Sequence, residues 1–292
     1  MKTLEKFGAT LALLALLAVV AAPGRMTGQI NLDLDKGIKA GQHLYKAVKP
    51  MSYKQEQLLG RQVAARIAGT FGIWEDKDWT LYINKVGRAL APYSVRPDIK
   101  YRFAILDTDD VNAYSAPAGY IFISRGMLKE LESESQLAGV LGHEIAHVAR
   151  KHIVKEVQKS NLYQAGAIVA LEAANVDSEA EAALGKLTDL SWDYLINKGF
   201  SKEDEYDSDA TGMKNAWRMG YNPSGLRDFL ATLQKQETGA GAKMKILLST
   251  HPKPSNRLAE LDKAMTKKKL AAENRKDNKE RFQDFKAKHP IP

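Results

Sequence analysis

The sequence contains no cysteine among its 292 residues. This absence excludes a disulfide scaffold, a zinc site built from thiolates, a cysteine nucleophile and an iron–sulfur cluster. Hydrophobic residues make up 44% and charged residues 27% of the chain. This composition excludes collagen-like, low-complexity and wholly disordered proteins. The length suits one large domain or two small ones.

The chain also lacks an even spread of charge. Lysine and arginine number 43 against 35 acidic residues, which gives a net charge of +8. Much of the excess lies in residues 262–288, where ten basic residues face five acidic ones. We therefore predict a basic, charged helical tail over residues 263–292 and no nucleic-acid partner. A membrane surface is a further candidate partner for such a tail.

The amino terminus resembles a secretory signal. Lys2 and Lys6 precede an uninterrupted apolar run over residues 9–22, and small residues follow it. The run has about 14 residues, whereas a bilayer span needs about 20. We predict a signal peptide over residues 1–24, with an uncleaved membrane anchor as the alternative. Either form predicts an extracytoplasmic, most simply periplasmic, protein, and residues 25–50 have the mixed polarity of a linker.

The rest of the chain predicts a mainly helical α+β domain with a small antiparallel sheet. Apolar residues alternate over residues 99–106, which indicates a strand, and residues 112–114 and 120–124 indicate two more. Helical patterns dominate before and after them. The predicted helices cover residues 52–68, 77–91, 133–159, 177–197 and 201–219.

The most informative motif is His143-Glu144-x-x-His147, in the middle of a predicted helix. Residues four apart lie on the same side of a helix, so both imidazoles can face one ion. Zn²⁺ favours such ligands, and Glu144 beside them can serve as a general base toward water. The alternative to a metal site is that both are ordinary surface histidines on an amphipathic helix. His152 lies about 140° further round an unbroken helix and is expected to face away from the metal.

A catalytic zinc needs a third protein ligand, and without cysteine it must be a carboxylate or a distant histidine. Residues 201–212 contain two Glu/Asp pairs four residues apart, Glu203 with Asp207 and Glu205 with Asp209. The second pair shares its face with Gly212 and Ala216, which allows close helix packing. We therefore predict Glu205 as the ligand and Asp209 as the residue that orients a ligand histidine.

His251 lies in a Thr-His-Pro-Lys-Pro segment, after a glycine-rich stretch at residues 238–242. The prolines favour a rigid, extended segment that can deliver the imidazole to the pocket. There it can stabilise the oxyanion as a catalytic residue, or block the zinc as a fourth ligand. A histidine in a surface loop is the third possibility, and the residues themselves do not choose among the three.

These motifs resemble a family of zinc metallopeptidases that includes HtpX, the Oma-type proteases and the CAAX prenyl endopeptidases. The resemblance covers about residues 52–262, and the chain is similar to the extracytoplasmic, non-multispanning branch of these gluzincins. It departs from the family at Ala118, where a second glycine is usual. The four matching features, in order, are residues 112–123, His143–His147, Glu205–Asp209, and residues 250–252 with Arg257.

The resemblance implies a zinc-dependent endopeptidase with one Zn²⁺ per chain, acting in protein quality control on unfolded or misassembled envelope proteins. It also implies that an edge strand holds an extended polypeptide substrate. The strand expected in that role is formed by Tyr120, Ile121, Phe122 and Ile123. The alternative function is a holdase or assembly factor with a latent or structural zinc, in which the apolar segment 162–174 and the basic tail would bind clients.

Overall fold

The computed structural model describes residues 50–160, 178–237 and 251–292. The signal peptide, nearly all of the linker, the apolar segment 162–174 and the glycine-rich stretch 238–242 lie outside these residues. Within them, no helix combines the length and the hydropathy needed to cross a membrane.

Helices account for most of the described chain, as the sequence predicts. The strands are β1 (Arg102–Leu106), β2 (Ala113–Ala116) and β3 (Tyr120–Ser124). The helices are α1 (Tyr53–Phe71), α2 (Lys77–Leu90), α3 (Arg125–Glu130), α4 (Glu134–Ala149), α5 (His152–Lys159), α6 (Ser178–Asp193), α7 (Lys202–Met219), α8 (Gly225–Glu237), α9 (Pro254–Lys267) and α10 (Lys279–Lys288).

Serine caps set the starts of the helices that matter most for the site. Ser52 and Gln55 form a reciprocal capping box at α1, which satisfies two backbone N–H groups. Ser133 caps α4 and Ser201 caps α7, each by accepting a bond from the backbone N–H three residues on. All three starts agree with the sequence prediction.

The sheet is mixed, which corrects the expectation of an antiparallel one. Its order is β1–β3–β2, and β3 runs parallel to β1 and antiparallel to β2. A short turn reverses the chain between β2 and β3, and β3 then inserts between its predecessors. β3 is therefore the central strand, with both backbone edges paired. The prediction that Tyr120, Ile121, Phe122 and Ile123 form a free substrate edge is wrong, and β2 occupies an edge instead.

A buried carboxylate fixes the turn between β2 and β3. Ala118 adopts φ +60° and ψ 20°, a left-handed conformation that glycine favours. Glu56 of α1 is fully buried and accepts a 3.2 Å bond from the Ala118 N–H. Arg96 pairs with both oxygens of the same carboxylate at 2.9 and 3.0 Å. These contacts support the turn although alanine stands where the family usually has glycine.

The helix predicted over residues 133–159 is two helices. α4 ends at Ala149, and α5 begins at His152. Between them Lys151 adopts a left-handed conformation, φ +60° and ψ 40°, which an α-helix cannot continue. The helical phase calculated across this point is therefore wrong for every residue after it.

The core surrounds α4, and every residue of that helix is buried. One hydrophobic cluster joins α4 to α2, α7, α8 and the sheet, and a second joins α1 to α5 and α6. The carboxy-terminal residues, expected to form a basic tail, contribute to the first cluster. Phe282 of α10 is fully buried against Trp79 and Tyr82.

Candidate metal centre

The site lies where α4 and α7 cross with almost no space between their backbones. Gly142 of α4 faces Gly212 of α7. A Cβ atom on Gly212 would lie 2.5 Å from the His143 nitrogen and 2.7 Å from the Gly142 carbonyl carbon. Only glycine fits at this distance. The close crossing brings His143 and His147 against Glu205, one and a half to two turns earlier on α7.

Three buried side chains converge at this crossing. The Nε2 atoms of His143 and His147 are 3.0 Å apart. Glu205 places Oε1 3.4 Å from the His147 Nε2, and Oε2 3.8 Å from the His143 Nε2. Ligand atoms about 2.0–2.1 Å from one tetrahedral ion would be separated by about 3.3 Å. The three side chains therefore fit a single metal ion, and among the described residues they form the group placed to hold one.

An unsatisfied atom supports the same assignment. Glu205 Oε1 is buried and has no hydrogen-bond partner, although a buried carboxylate oxygen normally finds one. Burial alone would raise the pKa of Glu205, but its interactions with His251, which bonds Oε2, and with the nearby His147 hold that pKa well below its usual range. Glu205 is thus an ionised carboxylate with one oxygen still available to a cation.

The two histidines respond differently to this environment. Burial lowers the pKa of His143. Burial also opposes protonation of His147, but the carboxylate of Glu205, 3.4 Å from its Nε2, outweighs that effect and raises the pKa. A cation between the two rings would replace the proton that Glu205 attracts, because metal ligands must be deprotonated.

Asp209 contacts His143 from the far side of the ring. Its Oδ1 lies 2.8 Å from the His143 Nδ1, so that Nε2 keeps its lone pair for the shared centre. Arg257 donates to both carboxylate oxygens, at 2.9 and 2.6 Å. Burial would raise the pKa of Asp209, but Arg257 lowers it to about 2. His143 therefore has an anionic partner whose charge is balanced inside the protein.

Sequence comparison matches residues 79–265 to peptidase family M48. This span covers more than half of the chain and contains the whole convergent site. The chain belongs to peptidase family M48. The resemblance predicted from the motifs is thereby confirmed, and the described domain is a metallopeptidase domain.

Named relatives extend the comparison. The beta-barrel assembly-enhancing protease of Escherichia coli K12 is 27% identical over 232 residues, which are 77% of this chain and 45% of the relative. Metalloprotease YcaL of the same strain is 23% identical over 247 residues, 83% of this chain and 93% of the relative. Mitochondrial metalloendopeptidase OMA1 of Schizosaccharomyces pombe is 25% identical over 183 residues, which are 63% of this chain and 52% of the relative. The chain spans about half the length of the beta-barrel assembly-enhancing proteases.

Glu144 of this M48 domain borders a small cavity beside the ligands. The cavity has a volume of about 20 Å³, and His143, Glu144, His251 and Arg257 line its polar side. That volume holds roughly one water molecule. Glu144 is buried and belongs to the same helix as the two histidines, and it shares this cavity with His143.

His251 lies at the site instead of in a distant surface loop. Its Nδ1 donates a 2.6 Å hydrogen bond to Glu205 Oε2, the carboxylate oxygen next to the unpartnered Oε1. Its ring centre is 5.6 Å from that of His143. His251 thus borders both Glu205 and the cavity beside Glu144.

The two acidic pairs on α7 differ in burial, as helical phase predicts. Glu205 and Asp209 are buried at the crossing. Glu203 is exposed, and Asp207 pairs with Arg150 at 2.5 Å on the surface. The pair that shares a helix face with Gly212 is therefore the buried pair, as the sequence argument predicts.

One residue of the M48 site was assigned wrongly from the sequence. His152 was expected to face away from the metal, but it is buried, and its Nδ1 lies 2.9 Å from the Nδ1 of His147. Burial lowers the pKa of His152 to about 3. The break at Lys151 turns its ring back toward α4. Residues 145–153, which span this break, contain no glycine or proline to signal it.

Proposed function

We propose that this protein is a zinc-dependent endopeptidase that cleaves unfolded or misassembled envelope proteins. The observation that carries the proposal is the buried group of His143, His147 and Glu205, in which a carboxylate oxygen has no other partner. Three protein ligands, rather than four, suit a catalytic zinc that keeps one position open. Among the described residues this favours an enzyme over a holdase with a structural zinc.

The residues divide the chemistry among them. His143, His147 and Glu205 would hold the zinc, and Asp209 fixes the tautomer of His143. When bound, the ion would supply Lewis-acid chemistry, polarising a peptide carbonyl and making water more acidic. Glu144 accepts the proton of the attacking water and later returns a proton to the leaving amine.

Strand β2 is the proposed platform for the substrate. One of its edges pairs with β3, and its residues Ala113, Tyr114 and Ser115 line a cleft with Glu144 and His147. An extended peptide can add to such an edge through backbone hydrogen bonds. The residues across the cleft leave too little room for a peptide in this conformation, so binding requires them to move. They are Tyr194, Leu195, Gly199 and Phe200.

The substrate class and the location rest on two further supports. Relatives include proteins named beta-barrel assembly-enhancing proteases, and residues 1–24 have the pattern of a secretory signal. We propose an extracytoplasmic, periplasmic protease that acts in envelope protein quality control. Cell fractionation of the tagged full chain tests the location, and recovery with the cytoplasmic fraction would contradict it.

Hydrolysis of an unfolded protein tests the activity. The purified chain should cleave unfolded casein, lose this activity in a chelator and regain it on addition of Zn²⁺. If casein is bound and kept soluble but remains uncut at every zinc concentration, the holdase function is correct. Cleavage that persists in the chelator would exclude zinc dependence.

His251→Ala tests whether this histidine acts in the reaction. We expect the variant to keep its zinc, because the three ligand atoms come from other residues. If the imidazole stabilises the oxyanion, kcat should fall by about 10²–10³. If it blocks the metal, activity should rise. Unchanged kinetics and zinc affinity would reject both roles.

A further inference from the structure

The two histidine ligands of the proposed metal centre have unlike partners. His143 contacts the carboxylate of Asp209 through Nδ1. The corresponding nitrogen of His147 contacts a third imidazole, that of His152, at 2.9 Å. His147 thus has an imidazole where His143 has a carboxylate. The orientation of His147 therefore depends on which tautomer His152 adopts.

The carboxylate of Asp204 faces the other ring nitrogen of His152. Its Oδ1 lies 3.3 Å from the His152 Nε2. A carboxylate only accepts, so it favours the tautomer of His152 that carries the proton on Nε2. Nδ1 of that neutral imidazole is then an acceptor, and the Nδ1 of His147 must donate to it. This leaves the lone pair of the His147 Nε2 directed at His143 and Glu205.

The surroundings hold His152 in this place. It is 2% exposed, at the first residue of α5, directly after the left-handed residue Lys151. Its ring packs against Phe200, 5.8 Å between ring centres. Asp204 is itself bonded by the Ser201 hydroxyl at 2.8 Å, on the same first turn of α7 that carries Glu205.

We propose that His152 is a positioning residue for the metal ligand His147, and that Asp204 fixes its tautomer. The inference rests on the proposed metal centre. A ligand histidine that donates its second N–H to a fixed acceptor is a better oriented and more basic ligand. In this protein the acceptor is an imidazole supplied by the helix that follows the metal-binding motif.

Two substitutions separate this role from simple packing. His152→Leu removes the acceptor but keeps an apolar side chain in the core. His152→Asn keeps an acceptor, because its amide oxygen lies at about the position of the imidazole Nδ1. Zn²⁺ affinity of the purified full chain would be measured by competition with a chromophoric chelator, and the ligand field by the visible spectrum of the Co²⁺ form.

We expect His152→Leu to bind Zn²⁺ about 10–100-fold more weakly and to change the Co²⁺ spectrum. His152→Asn should retain most of the affinity. Thermal unfolding of the metal-free variants should differ less than that of the zinc-loaded ones, because lost metal affinity reduces stability only when metal is present. Wild-type affinity in His152→Leu, or equal losses in both variants, would overturn the inference.

A second pair of variants covers the case in which His152→Leu does not fold. Asp204→Ala removes the carboxylate that fixes the tautomer and should weaken Zn²⁺ binding. Glu203→Ala is its control, because it removes an exposed acidic side chain from the same first turn of α7 and leaves Asp204 in place. Equal Zn²⁺ affinities in the two variants would contradict the proposal. A wild-type chain that binds no Zn²⁺ would instead overturn the proposed function together with this inference.

Discussion

The proposed metal centre depends most on Glu205. The histidine pair is evident from a four-residue spacing, but the third ligand had to be chosen from a run of acidic residues. Helical phase selected Glu205 because it shares a face with Gly212, and the structure buries that face. Phase arguments failed at His152, since they assume a continuous helix and α4 ends before it. The backbone break at Lys151 depends on tertiary packing that no local pattern specifies.

Metal analysis of four variants tests the ligand set. His143→Ala, His147→Ala and Glu205→Ala should each lose the single zinc, because two remaining ligands do not hold a catalytic ion. Glu203→Ala is the matched control, an acidic residue on the same helix turn that is exposed. It should purify with about one zinc per chain. Full zinc in Glu205→Ala, with loss in Glu203→Ala, would show that the other acidic pair binds the metal.

The close contact of α4 with α7 is the element on which the site is built. The starts of both helices can be predicted from the sequence, because Ser133 and Ser201 are typical N-cap residues. The order of the strands is not, because alternation marks a strand without saying which strands pair. The strands beside Ala118 illustrate this: both are predicted from the pattern, but β3 pairs on both sides and β2 becomes the edge.

Gly212→Ala tests the helix crossing. The added methyl group would lie 2.5 Å from the backbone nitrogen of His143, so α7 must move away and carry Glu205 and Asp209 with it. We expect destabilisation of about 1–3 kcal/mol, as for other overpacked sites, and weaker Zn²⁺ binding.

Gly185→Ala is the matched control for this crossing. It also adds a methyl group to a helical glycine, but nothing lies within 4 Å of that position. It should be neutral or raise stability by roughly 0.5–1 kcal/mol, because alanine favours a helix more than glycine. Chemical denaturation of both variants gives the comparison. Equal stability of the two would refute the steric account of the crossing.

At the scale of the whole molecule, the carboxy-terminal residues belong to the packed domain. Composition suggested a basic tail, because charge counts do not show which face of a helix is buried. In the structure Glu134, the first residue of α4, accepts bonds from Tyr82 and Tyr221 at 2.5 Å and from Arg281 of α10. Burial and this carboxylate raise the pKa of both tyrosines. Helix α10 is thereby tied to the start of α4, the helix that carries His143 and His147.

Phe282→Ala measures this attachment. Phe282 is fully buried against Trp79 and Tyr82, and loss of such a ring costs about 3–5 kcal/mol. Asp284→Ala, an exposed position of the same helix, should change the free energy of unfolding by no more than about 0.5 kcal/mol. Equilibrium denaturation in urea compares the two. A Phe282→Ala protein as stable as Asp284→Ala would mean that the segment is a dispensable tail.

The central claim is that Glu144 acts as the base beside a zinc held by three other side chains. It is tested most directly by measuring zinc content and casein hydrolysis on one preparation of Glu144→Gln. The amide cannot accept a proton, so activity should fall by about 10²–10⁴-fold, while zinc stays near one per chain and the unfolding midpoint is unchanged. Near-wild-type hydrolysis by a fully zinc-loaded Glu144→Gln protein would contradict the mechanism.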